Sequence, residues 1–363
     1  IGVESYGFYT YITSTFAFLF QIFLFSSNTA YVYHLAKAKF NRTDINKFYL
    51  LYLSVVSVIV FLIFIFDSSL GESSAFLLKD FDSEILYLGF IYSLFFFLQQ
   101  RSVDYADATE SSVATEQLKF FSRCILVMLL VLIQFYSQLD LIFFYYVLIL
   151  SLTIYFIFFI SRNGFIYSFK FVKGRFTSIF KSFLSFILPL LPYALITSLY
   201  AYSGRYAIQY YSGSVEQGYY GFAFQLVMVP VAIIFAISNL FMKKALFFYE
   251  RRDFKGLESL FTTIFSSLYL LFSVFIGLLL IYREMLIEFV VGIEFMGASD
   301  ALFWLSFYAL AHTFGVLNSN LFYISGRNKQ YSISAGLVAI TAMISLLLSI
   351  IFVSITAEVV SLI

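Results

Sequence analysis

The chain has 363 residues, of which 61% are hydrophobic, 22% aromatic and only 12% charged, with a formal net charge of +1. Soluble domains carry roughly 25% charged residues because their surfaces face water, so half that share excludes a water-soluble globular domain, and the near-zero charge excludes a nucleic-acid partner. A single cysteine, Cys124, excludes a disulfide framework, and His34 and His312 are too few to hold zinc or iron.

In chain order, stretches long and apolar enough to cross a bilayer, about 20 residues each, are predicted at 8–33, 46–66, 85–100, 118–135, 141–160, 182–203, 218–242, 259–281, 300–324 and 331–353. An eleventh begins at Glu358. The linkers at 34–47, 101–123, 162–181, 243–258 and 325–331 carry 4, 3, 5, 5 and 2 Lys/Arg, nineteen of the 22 in the chain. The alternate linkers keep only Lys79, Arg205 and Arg283, beside Asp67, Glu72, Asp80, Asp82, Glu84, Asp140, Glu284, Glu288 and Glu294. Lys and Arg stay in the cytoplasm during insertion, so the basic linkers are expected inside and Ile1 outside. A cytoplasmic N-terminus then calls for one helix before residue 1, and the sequence reads as a fragment. No phosphate-cradling loop of the ATPase type occurs, so no cofactor is expected, with coupling to a proton or sodium gradient left open.

The segment Val3-Glu4-Ser5-Tyr6-Gly7-Phe8-Tyr9 recurs as Val215-Glu216-Gln217-Gly218-Tyr219-Tyr220, one residue shorter. At the same 211-residue offset Ser27-Asn28 matches Ser238-Asn239. An even number of helices separates the copies, so they have the same expected orientation. Parallel repeats of this kind are one way to build a transporter. The expected architecture is an all-α polytopic membrane protein of two pseudo-symmetric bundles, 1–161 and 182–363, joined by a basic cytoplasmic linker at 162–181 and related by an axis along the membrane normal.

Polar groups in hydrocarbon are costly and should face a cavity or a neighbouring helix. At 1.5 Å rise per residue, Gln21 and His312 are expected near the midplane and Gln225 in the outer half. Asn28, Gln99, Gln100, Asn239, Asn318 and Asn320 are expected toward the cytoplasm. Such groups either hydrate a polar substrate path or bond helix to helix. Arg205 is expected near the outer end of its helix, where it either snorkels to headgroups or grips an anion bidentately; Arg101 is its counterpart at an inner helix end. Pro189, Pro192 and Pro230 are expected to kink their helices as hinges.

Gly2-Val3-Glu4-Ser5-Tyr6-Gly7-Phe8-Tyr9 resembles the start of the second helix in bacterial polysaccharide flippases, the Wzx-like O-antigen and capsule transporters of the multidrug/oligosaccharidyl-lipid/polysaccharide exporter superfamily. Pro189-Leu190-Leu191-Pro192, Ser203-Gly204-Arg205-Tyr206-Ala207-Ile208, Gly213, Gly218-Tyr219-Tyr220, Arg252-Asp253-Phe254 and Gly292-Ile293-Glu294-Phe295 extend that resemblance along the chain. By that mapping the first helix and most of the twelfth are missing. The resemblance implies a multi-pass protein of the bacterial inner membrane, without catalytic residues. It would move an undecaprenyl-diphosphate-linked oligosaccharide between leaflets by alternating access, alongside other polysaccharide-assembly membrane proteins as candidate partners. Where the family often has Asp before the helix-seven Arg, this chain has Gly204. A cation-coupled multidrug exporter of the same superfamily is the alternative, and a membrane polysaccharide polymerase is disfavoured by linkers of about 23 residues at most, too short for an enzyme site.

Overall fold

The structure is a computed structural model that describes residues 2–24, 27–36, 40–69, 81–108, 111–136, 140–163, 173–188, 191–352 and 355–362. The described residues form helices with no strand among them: α1 (Val3–Leu24), α2 (Ser27–Ala36), α3 (Arg42–Ser69), α4 (Ser83–Ala108), α5 (Ser112–Tyr136), α6 (Leu141–Asn163), α7 (Lys173–Ile187), α8 (Leu191–Glu250), α9 (Phe254–Val291), α10 (Ala298–Ile324), α11 (Asn328–Phe352) and α12 (Ala357–Leu362). Seven helical segments among the described residues are long and apolar enough to cross a membrane. The expected stretches 85–100 and 118–135 are helical as α4 and α5 but fall outside that set; Gln99, Gln100 and Arg101 dilute the apolar run of α4.

The expected span 218–242 and residues 191–203 of the span 182–203 lie in the single 60-residue run of α8, whose backbone leaves helical geometry at Gly213 (φ 84, ψ −173); residues 182–187 belong to α7. That positive φ suits glycine, which lacks a Cβ. The Arg205 guanidinium lies 5.3 Å from the centre of the Tyr220 ring and 5.1 Å from that of Phe224. Fifteen to nineteen residues of continuous helix span about 22–28 Å, so the chain doubles back at Gly213 and α8 is a helical hairpin. Pro230 is buried inside its second arm with no departure from helical φ/ψ, and Pro192 lies in the first turn of α8. Proline is tolerated there because its missing N–H has no intrahelical partner anyway. The backbone φ/ψ stays helical at both; Pro189 lies outside the described residues.

The chain divides into two compact units, Ile12–Tyr202 and Gly2–Tyr11 with Ser203–Ile363. The division falls within α8 and within α1. Residues 173–181, expected as linker, are helical, and Ile179, Phe183 and Ile187 recur every four residues and are buried against the α2–α3 side of the unit. Phe48 of α3 packs on Phe176 and Phe183 with ring centres 5.3 and 4.9 Å apart. The first arm of α8 is tied to α1 by Thr15 and Tyr202, whose hydroxyl oxygens are 3.1 Å apart, and by Phe18 stacked on Tyr202 at 4.4 Å.

The described residues of the expected span 8–33 lie in α1 and α2; residues 25 and 26 lie outside them. The Tyr52 hydroxyl of α3 donates to the Phe23 carbonyl at 2.6 Å and so ties α3 to the end of α1.

The second unit is built on apolar faces of α8, α9 and α10. Leu268, Phe272, Ile276 and Leu279 of α9 recur at helical spacing and bury with Val227, Val231 and Ile234 of α8 and Ala298, Ala301, Leu302 and Leu305 of α10. The start of α1 joins this unit through the repeated motif itself. A methyl on Gly7 would run into the Ser214 carbonyl, one on Gly218 into the Val3 carbonyl, and one on Gly221 would meet Thr10 Cγ2 at 2.7 Å. In the repeat Gly7 corresponds to Gly218, and at the same 211-residue offset Thr10 corresponds to Gly221. The two motif copies cross at these glycines, and small residues let membrane helices approach closely.

Candidate functional site

Within the first unit a cavity of about 430 Å³ opens between α1, α2, α4 and the first arm of α8. Thr13, Ala17, Phe20, Gln21 and Leu24 supply the α1 wall and Ser93, Phe96, Phe97, Gln100 and Arg101 the α4 wall, with Asn28, Ala194 and Thr197 completing the lining. On both α1 and α4 the contributing positions recur every three or four residues, so each wall is one helix face. The lining mixes amides (Gln21, Asn28, Gln100), hydroxyls (Thr13, Ser93, Thr197), rings and one cation, with no carboxylate among the residues that form it.

Arg101 is the charged feature of this cavity. Its Nη1 lies 2.8 Å from Asp104 Oδ2 one turn along α4, and the two side chains are 16% and 25% exposed. Its guanidinium also lies 5.4 Å from the centre of the Phe97 ring, one turn back. Nε has no hydrogen-bond partner among the described residues. Guanidinium donors form a rigid fork suited to bidentate recognition of phosphate or carboxylate. One carboxylate leaves part of that fork available, in a lining that can hydrogen-bond hydroxyl-rich groups and stack on flat apolar faces.

The structure thus brings together four of the residues singled out in sequence, Gln21, Asn28, Gln100 and Arg101. Gln99 is not among them: it is fully buried, does not line the cavity, and neither amide atom has a hydrogen-bond partner among the described residues. Consecutive helical residues point about 100° apart, so Gln100 reaches the cavity while Gln99 does not. Sequence reading gave no special place to Thr13, Ser93 and Thr197, because hydroxyls are common in membrane helices; the four-residue spacing of Thr13, Ala17 and Gln21 is the signal that marks their face.

Arg205 and His312 lie in the second unit. Arg205 is half-buried over Tyr220 and Phe224, Phe224 meets Tyr308 at 6.1 Å, and Tyr308 meets His312 at 5.1 Å. A cation over aromatic faces is stabilised electrostatically, and eight residues before Gly213 place Arg205 about 12 Å along its helix from the reversal. Gln225 is exposed and Asn318 half-buried. Asn320 donates to Ser238 Oγ at 2.8 Å and so bonds α10 to α8. The Asn239 side chain lies outside the described residues.

No protein-family model matches this sequence, and neither does any curated protein. Solved structures match along nearly its whole length. An inward-facing multidrug-resistance MATE-family transporter of the MOP superfamily superposes with a TM-score of 0.72 at 13% identity, covering 99% of this chain and 86% of the other. The lipid II flippase MurJ in an inward closed conformation gives 0.71 at 15% identity, covering 98% and 77%. A MOP-superfamily transporter from Pyrococcus furiosus, in which reverse polarity of the binding pocket suggests a different function, gives 0.68 at 11% identity, covering 99% and 82%. At these identities the likeness establishes the fold: the chain is an all-helical, multi-pass membrane protein with the architecture of the MOP-superfamily transporters.

Proposed function

We propose that this protein is a flippase that moves a polyprenyl-diphosphate-linked oligosaccharide across the bacterial inner membrane by alternating access. The observation that carries this reading is the lining of the first unit's cavity, where Arg101 is the charged residue among those described and its carboxylate partner, Asp104, lies outside the lining. Carrying a diphosphate through hydrocarbon without a compensating charge is prohibitively costly, and a guanidinium fork offers charge and paired donors together. Gln21, Asn28 and Gln100 suit the many hydroxyls of a glycan, and Phe96 and Phe97 suit the apolar faces of sugar rings. MurJ, a neighbour in fold, is named for a lipid cargo. An exporter of cationic drugs, the alternative within this architecture, calls for acidic groups that this lining lacks.

Complementation of a strain deprived of its own flippase tests the reading. The full-length gene is expected to restore surface polysaccharide, Arg101→Ala to abolish it at normal protein abundance, and Arg101→Lys to restore it partly, because an ammonium keeps the charge and loses the fork. Full surface glycan from Arg101→Ala refutes this role.

A further inference from the structure

Where the second arm of α8 ends and α9 begins, the second unit holds a groove of about 640 Å³. Phe247, Phe248, Leu260 and Ile264 line it, the hydroxyl-bearing Ser259 and Thr263 lie along it, and Lys244 is the cation in its lining. The guanidinium of Arg251 lies 3.9 Å from the centre of the Phe247 ring, so a second cation is held against the same wall. Gly256 lies under Phe248; a methyl there would meet that ring at 2.7 Å.

The turn that joins the helices keeps its charges in a fixed order. Arg252 has φ 56, in the left-handed region that residues with a Cβ rarely adopt, and such strained positions concentrate at functional sites. The carboxylate of Asp253 accepts from the Gly256 N–H at 2.9 Å and caps α9. Glu250 and Glu258 are exposed, as are Lys255 and Arg252. The 243–258 segment holds five Lys/Arg against three Asp/Glu, and its charge puts it on the cytoplasmic side, level with the headgroups of the inner leaflet.

An apolar trough with one cation in its lining and a second against its Phe247 wall matches a molecule that is apolar along most of its length and also carries an anionic group. A soluble anion has no use for the phenyl and isobutyl walls, and a neutral lipid has none for Lys244 and Arg251. We propose that this groove binds an anionic phospholipid of the inner leaflet, with an acyl chain along Phe247, Phe248, Leu260 and Ile264 and the phosphate beside Lys244 and Arg251. Basic pockets between membrane helices on the cytoplasmic side hold such headgroups. The site is separate from the cavity beside Arg101, and it stands or falls independently of the cargo.

The full-length protein in detergent, offered phosphatidylglycerol or phosphatidylcholine, provides the test by native mass spectrometry of retained lipid. Each cation near an anionic surface contributes about a fivefold factor, so phosphatidylglycerol is expected to be retained at least about fivefold over phosphatidylcholine. Lys244→Ser combined with Arg251→Ser should remove the preference, and Lys244→Arg should keep it. Thr263→Trp, which fills the groove and leaves the charges in place, should lower phosphatidylglycerol retention; Ser259→Trp serves if that variant does not fold. Equal retention of the two lipids overturns the proposal. So does unchanged retention in a folded groove-filled variant, or displacement of the lipid by inorganic phosphate or an acidic amphipathic peptide at matching concentration.

Discussion

Gly7 and Gly218 occupy the same position in two copies of one motif and face each other directly: the Gly218 amide nitrogen lies 3.0 Å from where a methyl on Gly7 would sit. The crossing therefore has no room for a side chain on either helix. Gly7→Ala and Gly218→Ala are each expected to destabilise the protein by about 1–3 kcal/mol, the usual range for overpacking. Gly277, with open space around its Cα, is the control: Gly277→Ala should be neutral or stabilising by up to about 1 kcal/mol. Thermal unfolding of the purified protein in detergent distinguishes them, and an unaltered Gly7→Ala would show that the crossing is not tightly packed in solution.

Asp104 restrains Arg101 and does not line the cavity. Asp104→Asn removes the partner of a partly buried cation and should lower stability by about 1–2 kcal/mol, toward the lower end for hydrogen bonds to charged groups. Because the guanidinium remains, complementation should persist. Loss of transport from Asp104→Asn in a well-inserted protein would mean that the carboxylate itself takes part.

For Arg205 the two rings already supply a structural role worth about 0.5–2 kcal/mol. We propose that it also meets the anionic cargo, so Arg205→Ala should abolish surface polysaccharide at normal abundance and Arg205→Lys should restore it in part. Full glycan together with a small loss of thermal stability in Arg205→Ala would leave only the packing against Tyr220 and Phe224.

Orientation is open to direct measurement. In a Cys124→Ser background, cysteine at the exposed Val215 should react with an impermeant thiol reagent in intact cells, whereas cysteine at the exposed Phe254 should react only after the membrane is opened. The opposite pattern would invert the expected topology.

The ten apolar stretches were legible because a bilayer imposes one length on every crossing helix, and each of them is helical among the described residues. The bond from Tyr52 to the Phe23 carbonyl was not, since its donor comes from another helix and leaves no mark on the local pattern. The reversal at Gly213 falls in the linker expected between the spans 182–203 and 218–242. Of the two arginines given weight, charge counting favoured Arg205, whereas Arg101 proves to be the cation in the cavity. A tally of linkers records how many charges lie on each side, and only the fold records which of them share a wall with Gln21 and Asn28.

The one-residue reversal at Gly213 also bears on how the protein is made. Two arms of α8 joined so tightly leave the ribosome within seconds of each other and can enter the translocon as a paired hairpin. An arginine on a lone helix costs about 2.5–3.5 kcal/mol at the bilayer centre during insertion. In the folded hairpin Arg205 lies over Tyr220 and Phe224, so pairing of the two arms covers a charge that the first arm alone would carry bare.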